Sequence, residues 1–288
     1  MFTSIARAAA LVLLLCSATL LAACDWGAGS EEQGLTGTPI ERATKILGAA
    51  PNGVAAKIVE RGIMVVANDA DYPPQSSVDE TTRELVGFDV DVAKRVAEIL
   101  GLEVSFKNPD WESIPTALNR RRIDASIGSM AITPQHDKVV DFTRPYYFAP
   151  AQVVVNEGGQ QITGVGDLAG KKVGVGLAST YRDYLAENST AVIKAYPADT
   201  DAFPDLLSGD LDFALTAQQT AHQAILAGGA LEFSGEPLFF EGLGIAAAEG
   251  EADWVKLLDY AVATMHEDGS LSELSRDWYE GLDLTVTE

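Results

Sequence analysis

Cysteine is almost missing from this chain. Its two copies, Cys16 and Cys24, both fall within the first 24 residues, so the rest of the protein has neither disulfides nor thiol chemistry to draw on. Histidine is nearly as scarce. His136, His222 and His266 stand far apart, without the spacing that gathers ligands around a metal ion; no metal and no cofactor is expected. Positive charge is outnumbered, with 20 Lys and Arg against 42 Asp and Glu and a formal charge of −22. That balance argues against nucleic acid and against an anionic membrane surface as partners, and reads as a well-solvated acidic exterior. No G-x-S-x-G, Walker A or complete G-x-G-x-x-G pattern occurs, and no Cys/His pair offers a nucleophile. Beyond Cys24 no run is apolar enough to cross a membrane.

What is present begins with a targeting segment. Arg7 is the only charge before the apolar run Ala8 to Ala23, which is too short for a comfortable membrane span. The run ends in Leu21-Ala22-Ala23-Cys24, which resembles the lipobox of bacterial lipoproteins. That resemblance implies cleavage before Cys24 and a diacylglycerol anchor on its thiol. Residues 25–50 read as a flexible tether rich in Gly, Ser, Glu and Thr, followed by a short helix over Pro39 to Leu47. Pro51-Asn52-Gly53 breaks the chain before a second short helix, Val54 to Glu60.

The remaining body alternates strands and helices. Met64 to Ala67, Glu103 to Lys107 and Ile123 to Ile127 read as strands, with a helix capped by Asp89 running to Leu100 and another over Trp111 to Asn119. The pattern restarts with strands at Gln152 to Val155, Lys172 to Val175, Val192 to Tyr196 and Phe213 to Leu215. Helices at Tyr181 to Glu187, Pro204 to Leu207 and Gln218 to Leu226 separate them. Gly244 to Ala247 returns as a strand. Asp253 to Glu267 is an amphipathic helix, and Ser270 caps a last one through Tyr279. Strand–helix alternation of this kind predicts α/β lobes with parallel sheets. Ligands in such folds bind beyond the carboxyl ends of strands, here Asn68 to Pro74, Lys107 to Trp111, Ser126 to Thr133, Gly176 to Thr180 and Thr216 to Gln219.

One stretch, Ile127 to Phe142, carries particular weight. A buried strand end opens into a polar loop, and Thr133-Pro134 has the chemistry of a helix start. A helix beginning there predicts free N–H groups and an anion site.

The stretch also carries part of a family resemblance. Arg61 to Ala67 followed by Asp71-Tyr72-Pro73-Pro74, then Leu85-Val86-Gly87-Phe88-Asp89-Val90-Asp91, Ile132-Thr133-Pro134, Val139-Val140-Asp141-Phe142 and Pro145-Tyr146-Tyr147 occur in order. Asp167 to Val175, Asp268-Gly269-Ser270-Leu271 and Trp278-Tyr279 follow. Together these resemble the bacterial extracellular solute-binding proteins of family 3, the polar amino-acid receptors of ABC importers. The resemblance implies a two-lobed periplasmic-binding-protein-like α/β fold of type II, with two hinge crossings and a ligand cleft between the lobes. It implies lobe 1 over 51–149 plus 243–288 and lobe 2 over 150–242. It further implies a monomer, lipid-anchored on the extracytoplasmic face of the membrane, that captures a small polar solute by hinge closure and hands it to an ABC permease.

The resemblance also implies site residues. Tyr72 and Trp111 stand where aromatic walls flank the ligand, and Asp69 is either a ligand-facing acid or a turn residue. Ser129, with Met130 and Ala131 beside it, matches donors of lobe 1; Ser179 and Thr180, with Tyr181 adjacent, match those of lobe 2. The departures are informative. His136 stands where an arginine grips the α-carboxylate, Ala217 where an aspartate takes the α-ammonium, and Ala131 where a hydroxyl helps. Histidine lacks the bidentate fork, and Lys138 is turned about 200° away if the segment is helical. The expectation is a cationic or otherwise non-zwitterionic solute, amino acid or amino-acid-like. A cyclohexadienyl-dehydratase-like enzyme and a sensor without its own permease are the alternatives. Arg120-Arg121-Arg122 reads as a solvated basic surface.

Overall fold

The computed structural model describes residues 35–68 and 70–286. The targeting segment and Cys24 lie outside the described residues, as do residues 25–34 of the tether and Asp69. The folded body opens with α1 (Pro39–Leu47) and α2 (Gly53–Arg61). Thr38 and Glu41 cap α1 reciprocally: the Thr38 hydroxyl accepts the Glu41 N–H at 3.3 Å, and the Glu41 carboxylate accepts the Thr38 N–H at 2.8 Å.

The chain then runs through β1 (Ile63–Ala67), a small antiparallel sheet of β2 (Asp71–Tyr72), β3 (Ser76–Val78) and β4 (Leu85–Val86), and α3 (Phe88–Leu100). β5 (Glu103–Lys107), α4 (Ile114–Asn119) and β6 (Ala125–Ala131) follow, and then β7 (Val140–Asn156). Next come β8 (Lys172–Gly176), α5 (Thr180–Asn188), β9 (Val192–Tyr196), α6 (Phe203–Ser208), β10 (Phe213–Ala217), α7 (Gln218–Leu226) and β11 (Leu231–Phe233). β12 (Phe240–Ala248), α8 (Ala252–Glu267) and α9 (Ser270–Trp278) close it. Arg42 of α1 donates to the last carbonyls of α3, at 2.8 Å to Glu98 O and 3.0 Å to Ile99 O, so this helix belongs to the packed body.

The strands line up as β5-β1-β6-β12-β7-β10-β8-β9, with β11 also on β7. β1 lies parallel to β5 and β6, and β8 parallel to β9 and β10, as strand–helix alternation requires. β7 joins the two halves. Its first part pairs antiparallel with β12, from Ala248↔Val140 to Phe240↔Pro150, and its last part pairs with β10 and β11. β7 and β12 are therefore the two extended crossings between two α/β lobes.

Cores form where the helical period faces the sheet. On α8, Trp254, Leu257, Leu258, Ala261, Val262 and Met265 are all buried, each large side chain contributing roughly 1.5–3 kcal/mol. The Trp254 indole donates to Asp124 O at 2.8 Å, which satisfies its one polar atom.

Four local expectations change. No helix follows Thr133-Pro134; a single 3-10 turn, His136–Lys138, stands there. The Thr133 hydroxyl does accept the His136 N–H at 3.1 Å, as a cap would. The β-branched residues Val139 and Val140 then carry the chain into β7, where Val140 and Asp141 pair with Ala248 and Ala247. The anion site predicted from that helix start is withdrawn. Trp111 to Asn119 divides into a 3-10 turn, Trp111–Ser113, and α4. Gly87 at φ +138, not Asp89, precedes α3; a Cβ there would run into the backbone of Gln75 and Ser76. Gly269 at φ +78 likewise takes the cap position before α9, with Ser270 its first helical residue.

Candidate functional site

Three motifs far apart in sequence meet behind the cleft. Phe88, Tyr146, Tyr147 and Tyr279 are fully buried. Ring centroids lie 5.2 Å apart for Phe88–Tyr147, 5.1 Å for Phe88–Tyr279 and 5.1 Å for Tyr146–Tyr147, within the range of favourable aromatic pairs. The hydroxyls of Tyr146 and Tyr147 build a network around Asp89. Tyr146 donates to one carboxylate oxygen at 2.7 Å, and the Ser129 hydroxyl donates to the other at 2.7 Å. Tyr147 donates to the Ser129 hydroxyl at 2.6 Å, and the Ser129 N–H donates to Tyr146 at 3.0 Å. Ser129 has φ +60, a left-handed conformation that few side chains adopt, and its own three hydrogen bonds hold it. Burial, then the charge of Asp89, pushes the Tyr146 and Tyr147 hydroxyls well above their ordinary range, so both remain donors.

The opposite wall comes from lobe 2. The Thr220 hydroxyl in the first turn of α7 donates across the cleft to the Tyr72 hydroxyl at 3.4 Å. Ser179 caps α5, accepting the Arg182 N–H at 3.2 Å and donating to Gly176 O at 2.8 Å. Thr180, the first residue of α5, donates to Glu241 of β12, and Tyr181 also hydrogen-bonds that carboxylate. Tyr181 is buried, its ring 6.1 Å from that of Phe239.

Asp199 stands on the 3-10 turn after β9 and accepts from the Thr216 hydroxyl at 2.8 Å and from the Gly176 N–H. Burial of its carboxyl group raises the pKa to about 6 against those two hydrogen bonds. Burial likewise raises Glu241, and the charge of Asp199 adds to it. Tyr72 is pushed up by burial, then by Asp199, Glu241 and Asp89. Among the described residues no Lys or Arg contributes to the surroundings of Asp199 or Glu241. The groups that act on these two acids are hydroxyls, a backbone N–H and, on Glu241, the charge of Asp199.

The residues singled out in the sequence are distributed as follows. Tyr72, Ser179, Thr180 and Tyr181 come together with Thr220 and Glu241. Ser129 is adjacent, with its hydroxyl engaged by Asp89 and Tyr147. Trp111 leans on a small core of lobe 1 that includes Ala67, Ile114 and Met130, where the Met130 side chain is wholly enclosed. Ala131 is buried, and its carbonyl lies 2.7 Å from His136 Nδ1. A carbonyl only accepts, so Nδ1 carries the proton, and Nε2 is an acceptor in the neutral ring. His136 therefore offers no fork to a carboxylate. Ala217 is buried at the end of β10, immediately before α7. Thr216 stood among the strand-end candidates; Asp199, Thr220 and Glu241 went unread in the sequence. Asp199 does follow the carboxyl end of β9, so the strand-end rule reaches it; Glu241 has no sequence signal because it acts from a crossing strand. Arg121 of the basic run is tied to Glu251 on lobe 1.

Comparison with known proteins accords with this geometry. The L-cystine-binding protein TcyJ of Escherichia coli (strain K12) is 34% identical over 239 residues, covering 82% of this chain and 89% of that protein. Among solved structures, an ancestral arginine-binding protein bound to arginine superposes with a TM-score of 0.69 at 34% identity, covering 76% of this chain and 99% of that one. The ancestral amino acid-binding protein AncCDT-1, a precursor of cyclohexadienyl dehydratase, gives 0.72 at 29% identity, covering 79% and 100%. The fold is the two-lobed type II arrangement of amino-acid-binding proteins. The model of the bacterial extracellular solute-binding proteins, family 3, matches residues 64–281, and the chain belongs to that family.

Proposed function

We propose that this protein is the receptor of an ABC importer for a small solute of the amino-acid class that carries a positive charge, and that it binds without turnover. The observation that carries the reading is the pair of carboxylates, Asp199 and Glu241, in a cleft where no described Lys or Arg balances them. Leaving buried carboxylates without a counter-charge is costly; a cationic ligand removes that cost on binding. The named relatives support the class, since one binds L-cystine and another was solved with arginine. His136 and Ala217 separate this site from a plain zwitterion receptor, because neither supplies the fork or the acid that the family resemblance implies at those positions.

In this reading lobe 1 comprises 51–149 plus 243–288 and lobe 2 comprises 150–242, with β7 and β12 as the hinge. Tyr72, Ser129, Ser179, Thr180 and Tyr181 face the solute, and His136 lends Nε2 as an acceptor. Asp69 and Trp111 are further wall positions. The closed form docks on a permease, and Cys24 carries the lipid that keeps the receptor on the extracytoplasmic face. Among the described residues no helix is long and apolar enough to cross a membrane.

Titration calorimetry tests the reading. Arginine, lysine, cystine and their amine analogues are titrated against glutamate and glutamine. Binding confined to the members of net positive charge (arginine, lysine and the amine analogues) is expected; glutamate or glutamine binding tighter than any of them overturns it.

A further inference from the structure

The start of α5 is where a ligand's carboxylate would find its donors, since Ser179 and Thr180 converge there with the helix dipole. In this protein that position already holds a carboxylate. Glu241 reaches from β12, the crossing strand, and takes hydrogen bonds from the Thr180 hydroxyl and from Tyr181. The carboxylate is partly buried there, and Asp199 lies close enough for its charge to act on it. Asp199 is itself held at the neighbouring strand end by Thr216 and Gly176. Gln219 stands in the first turn of α7 beside Thr220, whose hydroxyl meets Tyr72 of the other lobe. Gln219 is 2% exposed, and neither polar atom of its side-chain amide has a partner among the described residues. A buried amide left in that state is waiting for a polar guest.

We infer that Glu241 is a built-in replacement for the ligand's carboxylate, so that the cleft selects carboxylate-free cations (amines, guanidines and their kin) over the corresponding free amino acids. The cationic group docks between Glu241 and Asp199, with Gln219 completing its hydrogen bonds. This deepens the reading of the cleft as a cation receptor and rests on it. The physical reason is repulsion. A ligand carboxylate entering at Thr180 must either displace Glu241 from its donors or sit against it in a partly dry site, and like charges at close range are strongly unfavourable there. An incoming ammonium or guanidinium meets two acids instead.

The test uses matched pairs titrated calorimetrically against the mature protein: arginine with agmatine, lysine with cadaverine, cystine with cystamine. The carboxylate-free member of at least one pair is expected to bind about tenfold or more tighter. Glu241→Gln should shrink that preference, because the neutral amide no longer repels the acid. Asp199→Asn should instead weaken both members of the pair and leave their ratio in place. Thermal melting of each variant separates a lost fold from a lost site. If the free amino acids bind as tightly as their analogues, or the ratio survives Glu241→Gln in a folded variant, the inference fails while the cation-receptor reading stands. If no member of any pair binds the wild-type protein, both fail together.

Discussion

Asp199 illustrates how little of a side chain's role lies in its type. Aspartate is ordinary at the first position of a 3-10 turn. Here the carboxyl group is enclosed between Thr216 and the Gly176 N–H, and Glu241, Tyr72 and Tyr181 add acidic or phenolic groups around it. With the pKa raised to about 6, the group is charged above that pH and neutral below it. A cation prefers the charged form. Affinity for a cationic ligand is therefore expected to be full above about pH 7, to fall as pH drops through about 6, and to be accompanied by proton release near the midpoint. Calorimetry in buffers of different ionisation enthalpy measures both, and Asp199→Asn should flatten the profile. The ligand-free protein has the opposite dependence from this group. Its raised pKa costs stability above pH 6 and returns it as pH falls toward the unfolded value.

At the scale of elements, the site depends on close approach of backbones. β8 ends in Gly176, and a Cβ there would run into the Asp199 carboxyl group. Gly176→Ala must push Asp199 off its N–H donor, and ligand affinity is expected to fall by about tenfold or more with little change in the melting temperature. A variant that binds as well as wild type would show that Asp199 does not need that position. The stretch from Ile127 to Phe142 makes a related point. Thr133 and Pro134 have the residues of a helix start, yet pairing of Val140 and Asp141 with β12 draws the chain into a strand after one turn. Local preference of this kind is worth about 1 kcal/mol at a cap, less than a run of sheet hydrogen bonds and buried side chains in β7.

At the scale of the whole molecule, the lobes touch at more than the ligand cleft. His222 of α7 meets Glu280, just beyond α9, at 3.4 Å, an ion pair when the histidine is protonated. Glu280 holds φ +56, uncommon for its residue type. The Tyr72–Thr220 contact is the second bridge. Both cross from one lobe to the other, so each is expected to favour a closed state that a ligand selects. His222→Ala removes an exposed pair and should weaken ligand binding by about two- to fivefold without altering which ligand is preferred. Small-angle scattering with and without ligand should show the same variant more open at subsaturating ligand.

Much of this was legible in the chain before it folded. Strand–helix alternation, the period of α8 and the ordered motifs pointed to a two-lobed α/β receptor, because local periodicity and burial are properties of sequence spacing. The motif residues Phe88, Asp89, Tyr146, Tyr147 and Tyr279 were visible as a signature. Only the tertiary structure packed the four rings together and tied Asp89, Tyr146 and Tyr147 to Ser129 by hydrogen bonds. The missing arginine and aspartate at His136 and Ala217 could be read directly. The nearness of Asp199 to Glu241 could not, since those residues are 42 positions apart and come within electrostatic reach only where the turn after β9 approaches the crossing strand β12. Sequence determined which scaffold this is; the meeting of strand ends in space decided the charge of its cleft, because electrostatics depends on distance and burial rather than on order along the chain.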